Sequence, residues 1–240
     1  IIGLNTRQAP FNDLTHRSAF RKSLDTESFR KRFYPDAVPS VGYIPPGLPG
    51  YDWKNTKNEF HHSQKASTQK LIQIVIPREL AQGPEMRLFL EKELQSRGWK
   101  IQVKLLPWDQ LMKGYSEKTL QAFLVSMNMD YPDTEFLVRN FESGNPDNFS
   151  GLSDKEVDSL IQEARATQDR VSRQKIYLQL VEKLKQTAVT VNLFHPRGHY
   201  WVSSCVRGFA PNILSDVYID YRSIWVDPDC EKNLKRGKVS

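Results

Sequence analysis

The residues of this chain best placed to do chemistry lie in one stretch, Gln121–Leu137, QAFLVSMNMDYPDTEFL. Ala122-Phe123-Leu124-Val125 reads as a buried strand. It runs into an acidic turn, Asp130-Tyr131-Pro132-Asp133, and Asp133 reads as the cap of a short helix from Thr134 to Asn140. A carboxylate just past a strand end lies on the rim where open α/β sheets bind ligands. It also fits a turn residue that bonds nearby backbone N–H groups, and both readings stand for Asp130. Asp130, Asp133 and Glu135 are close in sequence. That alone does not establish the separation of about 5–10 Å that paired catalytic carboxylates need, and the capping role accounts for Asp133.

Other candidates are fewer. Trp108 follows a strand and is either core or the wall of a ligand site. Met127 and Met129 either pack or offer a soft apolar surface to a ligand. His195 and His199 are four apart, but Pro196 and Gly198 break any helix that would aim both at one metal. Neither a metal nor a cofactor is expected. The sequence holds no G-x-S-x-G, no H-E-x-x-H, no P-loop and no Cys/His pair in a suitable context. A binding module is therefore expected rather than an enzyme. A net charge of +6 raises nucleic acid or an anionic surface as partners. Here 34 Lys and Arg are interleaved with 28 Asp and Glu, and the dense basic run is confined to Lys232–Lys238. That run reads as a solvated tail, and no nucleic-acid motif appears. The two cysteines, Cys205 and Cys230, suit either redox compartment and could pair if the protein is exported.

The elements that must position these residues are legible in outline. The 240 residues suffice for one large or two small domains with a real core, and no apolar run is long enough to span a membrane. Ile1-Ile2-Gly3-Leu4 opens the chain as a strand with no signal peptide before it, as in a mature or truncated fragment. Asp13 or Thr15 caps a helix to about Leu24, with Leu14, Ala19, Phe20 and Leu24 on one face, and Asp25 caps a second, Thr26–Phe33. Residues 35–53 form a Pro- and Gly-rich loop anchored by Val41, Tyr43, Ile44, Leu48, Tyr51 and Trp53. The polar segment after it, with His61-His62, is expected to be exposed. Leu71–Ile76, a helix from Gly83-Pro84 to Arg97 with Gly98 as its C-cap, and Lys100–Leu106 make a βαβ unit, which favours parallel pairing. A short helix starts at Pro107-Trp108. Ser153 and Glu156 form a capping box for a helix lined by Val157, Leu160, Ile161 and Ala164. A further helix follows over Val171–Ala188. Strands are expected at Val189–Phe194 and His199–Val202, with a closing segment at Tyr218–Val226.

Five segments in this order resemble the C-terminal lobe of the family 5 extracellular solute-binding proteins, the peptide receptors of bacterial ABC importers. They are Asn5 with Ala9-Pro10-Phe11-Asn12-Asp13, His16-Arg17-Ser18-Ala19 and Ser23-Leu24-Asp25; Val38-Pro39 to Tyr43-Ile44-Pro45-Pro46-Gly47; Leu94 to Gly98 with Ile101 and Val103; Asp130-Tyr131-Pro132-Asp133 with Phe136-Leu137; and Val157-Asp158 with Leu160-Ile161, then Asp169, Arg173 and Tyr177. The resemblance implies an α/β fold, a mixed sheet flanked by helices. It would be one lobe of a two-lobed, class II periplasmic-binding-protein-like receptor that closes on its ligand.

Residues 1–226 would be that lobe, 203–226 its return segment towards a missing N-terminal lobe, and 227–240 a basic tail. By the same resemblance Asp130 of the Asp130-Tyr131 turn would pair with a peptide's α-ammonium. Ser126, Met127 and Asn128 would lend backbone groups to the extended ligand, and Trp108 would wall off a side chain. Met127 stands where peptide-binding relatives often carry Trp, and Met129 where a small residue is usual. A non-peptide ligand (a metal chelate, haem, a sugar or a murein fragment) is therefore the alternative. The implied setting is periplasmic or lipid-anchored outside the cell, as a monomer working with membrane permease subunits.

Overall fold

The computed structural model describes residues 1–52, 64–211 and 219–230. Trp53, His61-His62, Tyr218 and the run Lys232–Lys238 lie outside the described residues.

Aspartate caps begin most of the helices among the described residues. β1, Ile2–Leu4, leads to α1, Leu14–Ser23, whose cap Asp13 accepts a hydrogen bond from the Thr15 N–H. Asp25 does the same for α2, Thr26–Phe33, through the Ser28 N–H. A two-residue strand, β2, Val38–Pro39, lies in the Pro-rich loop, which Tyr43, Ile44, Leu48 and Tyr51 anchor by burial. β3, Leu71–Pro77, α3, Gly83–Gln95, and β4, Lys100–Leu106, form the expected βαβ unit, with β3 and β4 parallel. Gly98, at φ 85°, ends α3. The Trp99 N–H reaches the Leu94 carbonyl at 3.1 Å and the Gly98 N–H the Gln95 carbonyl at 2.9 Å, the paired bonds of a Schellman cap.

Next come α4, Trp108–Ser116, β5, Ala122–Leu124, α5, Thr134–Val138, α6, Lys155–Ala166, and α7, Arg170–Thr187. Four short strands follow: β6, Thr190–Val191, β7, Phe194–His195, β8, Val206–Arg207, and β9, Trp225–Val226. Three expectations are corrected. Asp154, not Ser153, caps α6, accepting from the Glu156 and Val157 N–H groups; both residue types cap, and hydrophobic spacing does not separate neighbours. Leu14 is exposed, because the buried stripe of α1 begins at Arg17. His199–Val202 is not a strand, and Trp201 within it is 98% exposed.

The chain clusters into two compact units. The first, Ile1–Met127 with Asp133–Pro196, holds a five-stranded mixed sheet among the described residues, in the order β4-β3-β5-β1-β6. β3 is parallel to β4 and β5, while β1 runs antiparallel to β5 and β6. One face, with Ile2, Leu4, Ile72, Ile74, Ile76, Ile101 and Val103, buries Phe20, Phe29, Leu90 and Trp99 from α1, α2, α3 and the turn before β4. On the other face Phe123 packs edge-on against Tyr115 and Phe149. Gly3 is there because a Cβ would come within 2.8 Å of the Phe123 ring. Buried Asn5 and Arg17, both in the family-like segments, are scaffolding. The Asn5 amide donates to the Lys118 and Leu120 carbonyls at 2.9 Å, and Arg17 donates to the carbonyls of Thr187 and Phe11 at 2.9 and 2.7 Å.

The second unit comprises Asn128–Pro132 and the chain from Arg197 on. In it β8 and β9 pair antiparallel, and Cys205 and Cys230 form a disulfide with 5.4 Å between their Cα atoms. Gly208, at φ 73°, admits no side chain, since a Cβ would lie 1.9 Å from the Ser223 carbonyl oxygen.

His195, in β7 opposite Val38, has a buried Nε2 without a partner among the described residues. Burial pushes its pKa down to about 4. An unfolded His takes up its proton near pH 6.5, so between those values the unfolded state binds more protons. Stability is therefore full above the unfolded pKa and falls as the pH drops, by about 2 kcal/mol between pH 7 and 5. Urea midpoints at the two pH values check this, and His195→Gln should remove most of the difference.

Candidate functional site

The parallel register places the ends of β3, β4 and β5 on one rim of the first unit's sheet, with β5 the middle strand. The last bonds holding the chain after β5 to the sheet join Val125 and Ile1, N–H to carbonyl, at 3.1 Å. Beyond them exposure alternates: Ser126, Asn128 and Asp130 are exposed, Met127 and Met129 half-buried. Trp108 lies on the same rim, just past β4. It opens α4, is 50% exposed, and its N–H donates to Glu79 Oε1 at 3.0 Å across the end of β3.

The structure therefore groups Trp108, Ser126 and Met127 at one rim of the first unit. Asn128, Met129, Asp130 and Tyr131 belong to the short segment that clusters with the second unit. Asp130 and Tyr131 are exposed.

The chain re-enters the first unit at Asp133. Asp133 caps α5 as expected, accepting from the Glu135 N–H at 2.8 Å. It also takes a two-pronged ion pair from Arg173, with Nη1 to Oδ2 at 2.8 Å and Nη2 to Oδ1 at 3.0 Å. Arg173 donates to the Tyr177 hydroxyl at 2.9 Å, and that hydroxyl donates to Asp133 Oδ1 at 3.4 Å. Burial first, and the Asp133 charge second, push the Tyr177 pKa up to about 12, so its hydroxyl stays protonated.

Glu135 pairs with Arg165 at 2.8 Å, and Arg165 also bonds Glu142; hydrogen bonds with both acids hold its guanidinium charged. Two acids of the sequence cluster are thus structural ion pairs, and Asp130 is the exposed one. Among the described residues no three His, Cys, Asp or Glu side chains gather as metal ligands. The clamp on Asp133 is what reading the acidic turn alone misses. Its signal was the pair Arg173 and Tyr177, four apart and so on one face of a helix.

The sequence profile of the bacterial extracellular solute-binding proteins, family 5 middle, matches residues 1–149. The chain belongs to this family. It is similar to the dipeptide-binding protein DppE of Bacillus subtilis, at 22% identity over 93% of this chain and 44% of that protein. It is similar to di/tripeptide-binding protein 4 of Pseudomonas aeruginosa, at 26% identity over 75% of this chain and 37% of that one. The structure of the oligopeptide-binding protein AppA of Bacillus subtilis, in complex with a nonapeptide, superposes with a TM-score of 0.80 at 16% identity. That match covers 94% of this chain and 50% of AppA. The family 5 fold is thereby shown, a mixed sheet flanked by helices, and the chain spans less than half the length of the two curated relatives.

Proposed function

We propose that this family 5 chain is the C-terminal lobe, residues 1–226, of a non-catalytic solute receptor serving a bacterial ABC importer. It works outside the cytoplasmic membrane, periplasmic or lipid-anchored, as a monomer that delivers peptide to the permease subunits. The ligand lies in a cleft between this lobe and an N-terminal one. Three similar proteins named for dipeptide, di/tripeptide and oligopeptide binding support the peptide class.

The observation that carries the reading is the chain past β5. The chain leaves the middle of the sheet there, with Ser126, Asn128 and Asp130 exposed on alternate positions. A peptide pairs with such backbone by strand addition, and main-chain bonds tolerate many side chains. Asp130 takes the ligand's α-ammonium. Trp108, Met127 and Met129 give side chains an adaptable apolar surface, and Tyr131 completes the turn.

Calorimetry on the full-length protein, with one tripeptide as free amine and as N-acetyl derivative, tests this. Asp130→Asn should cost the free amine roughly 1.5–3 kcal/mol, the worth of a charge-assisted hydrogen bond, and the acetylated peptide little. Equal losses for both would remove Asp130 from the ammonium role. Binding of neither peptide would move the ligand class away from peptides.

A further inference from the structure

Among the described residues β4 is the outermost strand of the first unit's sheet, next to β3. Successive residues of a strand aim their backbone groups to opposite sides. The Arg78 N–H donates to the Leu106 carbonyl at 2.8 Å, so the even-numbered residues of β4 face β3. Ile101 and Val103 therefore turn their N–H and C=O groups to the outer edge. A bare edge of this kind is a template for a further strand.

Two side chains of α3, four residues apart and so on one helix face, already occupy that edge. Gln95 Nε2 donates to the Ile101 carbonyl at 3.1 Å. Glu91 Oε1 accepts from the Val103 N–H at 2.9 Å. The two backbone groups they hold complement each other, one an acceptor and one a donor. Consider two β4 strands laid antiparallel about a twofold axis at Gln102. Ile101 of one copy then lies opposite Val103 of the other, and the two would exchange N–H···O bonds. The same register sets Lys100 opposite Lys104 of the second copy. Both lysines alternate with the buried Ile101 and Val103, so they lie on the face turned from the core. Like charges directly opposite across strands destabilise the pair.

We propose that Glu91 and Gln95, with Lys100 and Lys104, close the β4 edge against a second copy of this chain. The side chains of α3 take the hydrogen bonds that self-pairing needs, and the lysines repel in the register it would adopt. This does not rest on the peptide reading.

Sedimentation equilibrium of the full-length protein over a wide concentration range tests it. Glu91→Ala with Gln95→Ala should raise the self-association constant roughly a hundredfold, since two edge groups per copy are released. Gln95→Ala alone changes an exposed side chain, should give about tenfold, and stands in if the double variant fails to fold. Lys104→Glu added to the double variant turns both repulsive pairs attractive and should strengthen association about tenfold more. Glu91→Gln keeps an acceptor and should match the wild type.

Hydrogen exchange on monomeric samples gives a second readout. The Val103 amide should exchange about tenfold faster in the double variant. Unchanged exchange, or a double variant no more associated than the wild type, overturns the proposal. So does association that Lys104→Glu weakens or leaves alone, because the contact then lies elsewhere. Association of Glu91→Gln equal to that of the double variant overturns it too, by tracing the effect to lost charge.

Discussion

Trp99→Ala should destabilise the first unit by about 3–5 kcal/mol, among the largest single-residue losses available in this fold. Trp99 is 2% exposed, at the end of the turn from α3 into β4, directly before Lys100. Its ring meets Phe20 edge-on at 5.4 Å, and its Nε1 donates to Ser23 Oγ at 2.9 Å. Ser23 Oγ in turn donates to the Ala19 carbonyl at 2.7 Å. One indole thus joins the end of α1 to the βαβ unit through packing and a buried hydrogen bond. Truncation removes both and leaves a cavity in the core. Trp99→Phe keeps most of the volume and loses the donor, so it should cost about 1–2 kcal/mol. Urea unfolding followed by near-ultraviolet circular dichroism gives both values. A Trp99→Ala loss under 1 kcal/mol would show that α1 and the βαβ unit do not depend on this contact.

The second large effect should be confined to the other unit. The Cys205–Cys230 bond closes a loop with a sequence separation of 25. The chain-entropy relation gives roughly 3.5 kcal/mol for a loop of that size. Among the described residues the other ties of this part include the Arg207–Asp227 ion pair and the Ser223 hydroxyl on the Gly208 carbonyl. β8 and β9 are two residues each, Val226 and Trp225 are exposed, and the Asp227 N–H adds one bond to the Cys205 carbonyl at 2.8 Å. An isolated two-stranded ribbon is marginal in water. Replacing both cysteines by Ser should therefore make residues 197–211 open to protease under native conditions, while the main unfolding transition of the first unit stays in place. Limited proteolysis and a thermal scan of the same sample test this together. Equal protease resistance of the two forms would show that the ribbon stands without its covalent tie.

How much of this was legible in the sequence depended on the range of the interactions. β3, α3 and β4 were clear because alternation, a helical stripe and the Gly98 cap are local signals. The cap of α6 missed by one residue, since Ser153 and Asp154 both cap and only backbone geometry chooses. Apolar character at Tyr200, Trp201 and Val202 looked like a strand, yet no sheet of their unit pairs them among the described residues. Nothing local told that Arg17 would be buried, because its partners are carbonyl oxygens, one of them at distant Thr187. At the candidate site the capping role of Asp133 was local and readable. Its grip by Arg173 spans forty residues and showed only as a pattern shared with a family.

The order of the strands also governs how the chain can be made. Ile2 of β1 lies opposite Leu124 of β5 and Val191 of β6. The strand synthesised first among these is completed by the one synthesised last. At roughly 5–20 residues per second, about ten to forty seconds separate the emergence of β1 from that of β6. During that interval Ile2 and Leu4, fully buried in the finished protein, lack the β6 part of their cover. Contacts this far apart in sequence form late and slow folding. Pairing of β1 is therefore completed in two steps, with β5 first and β6 last.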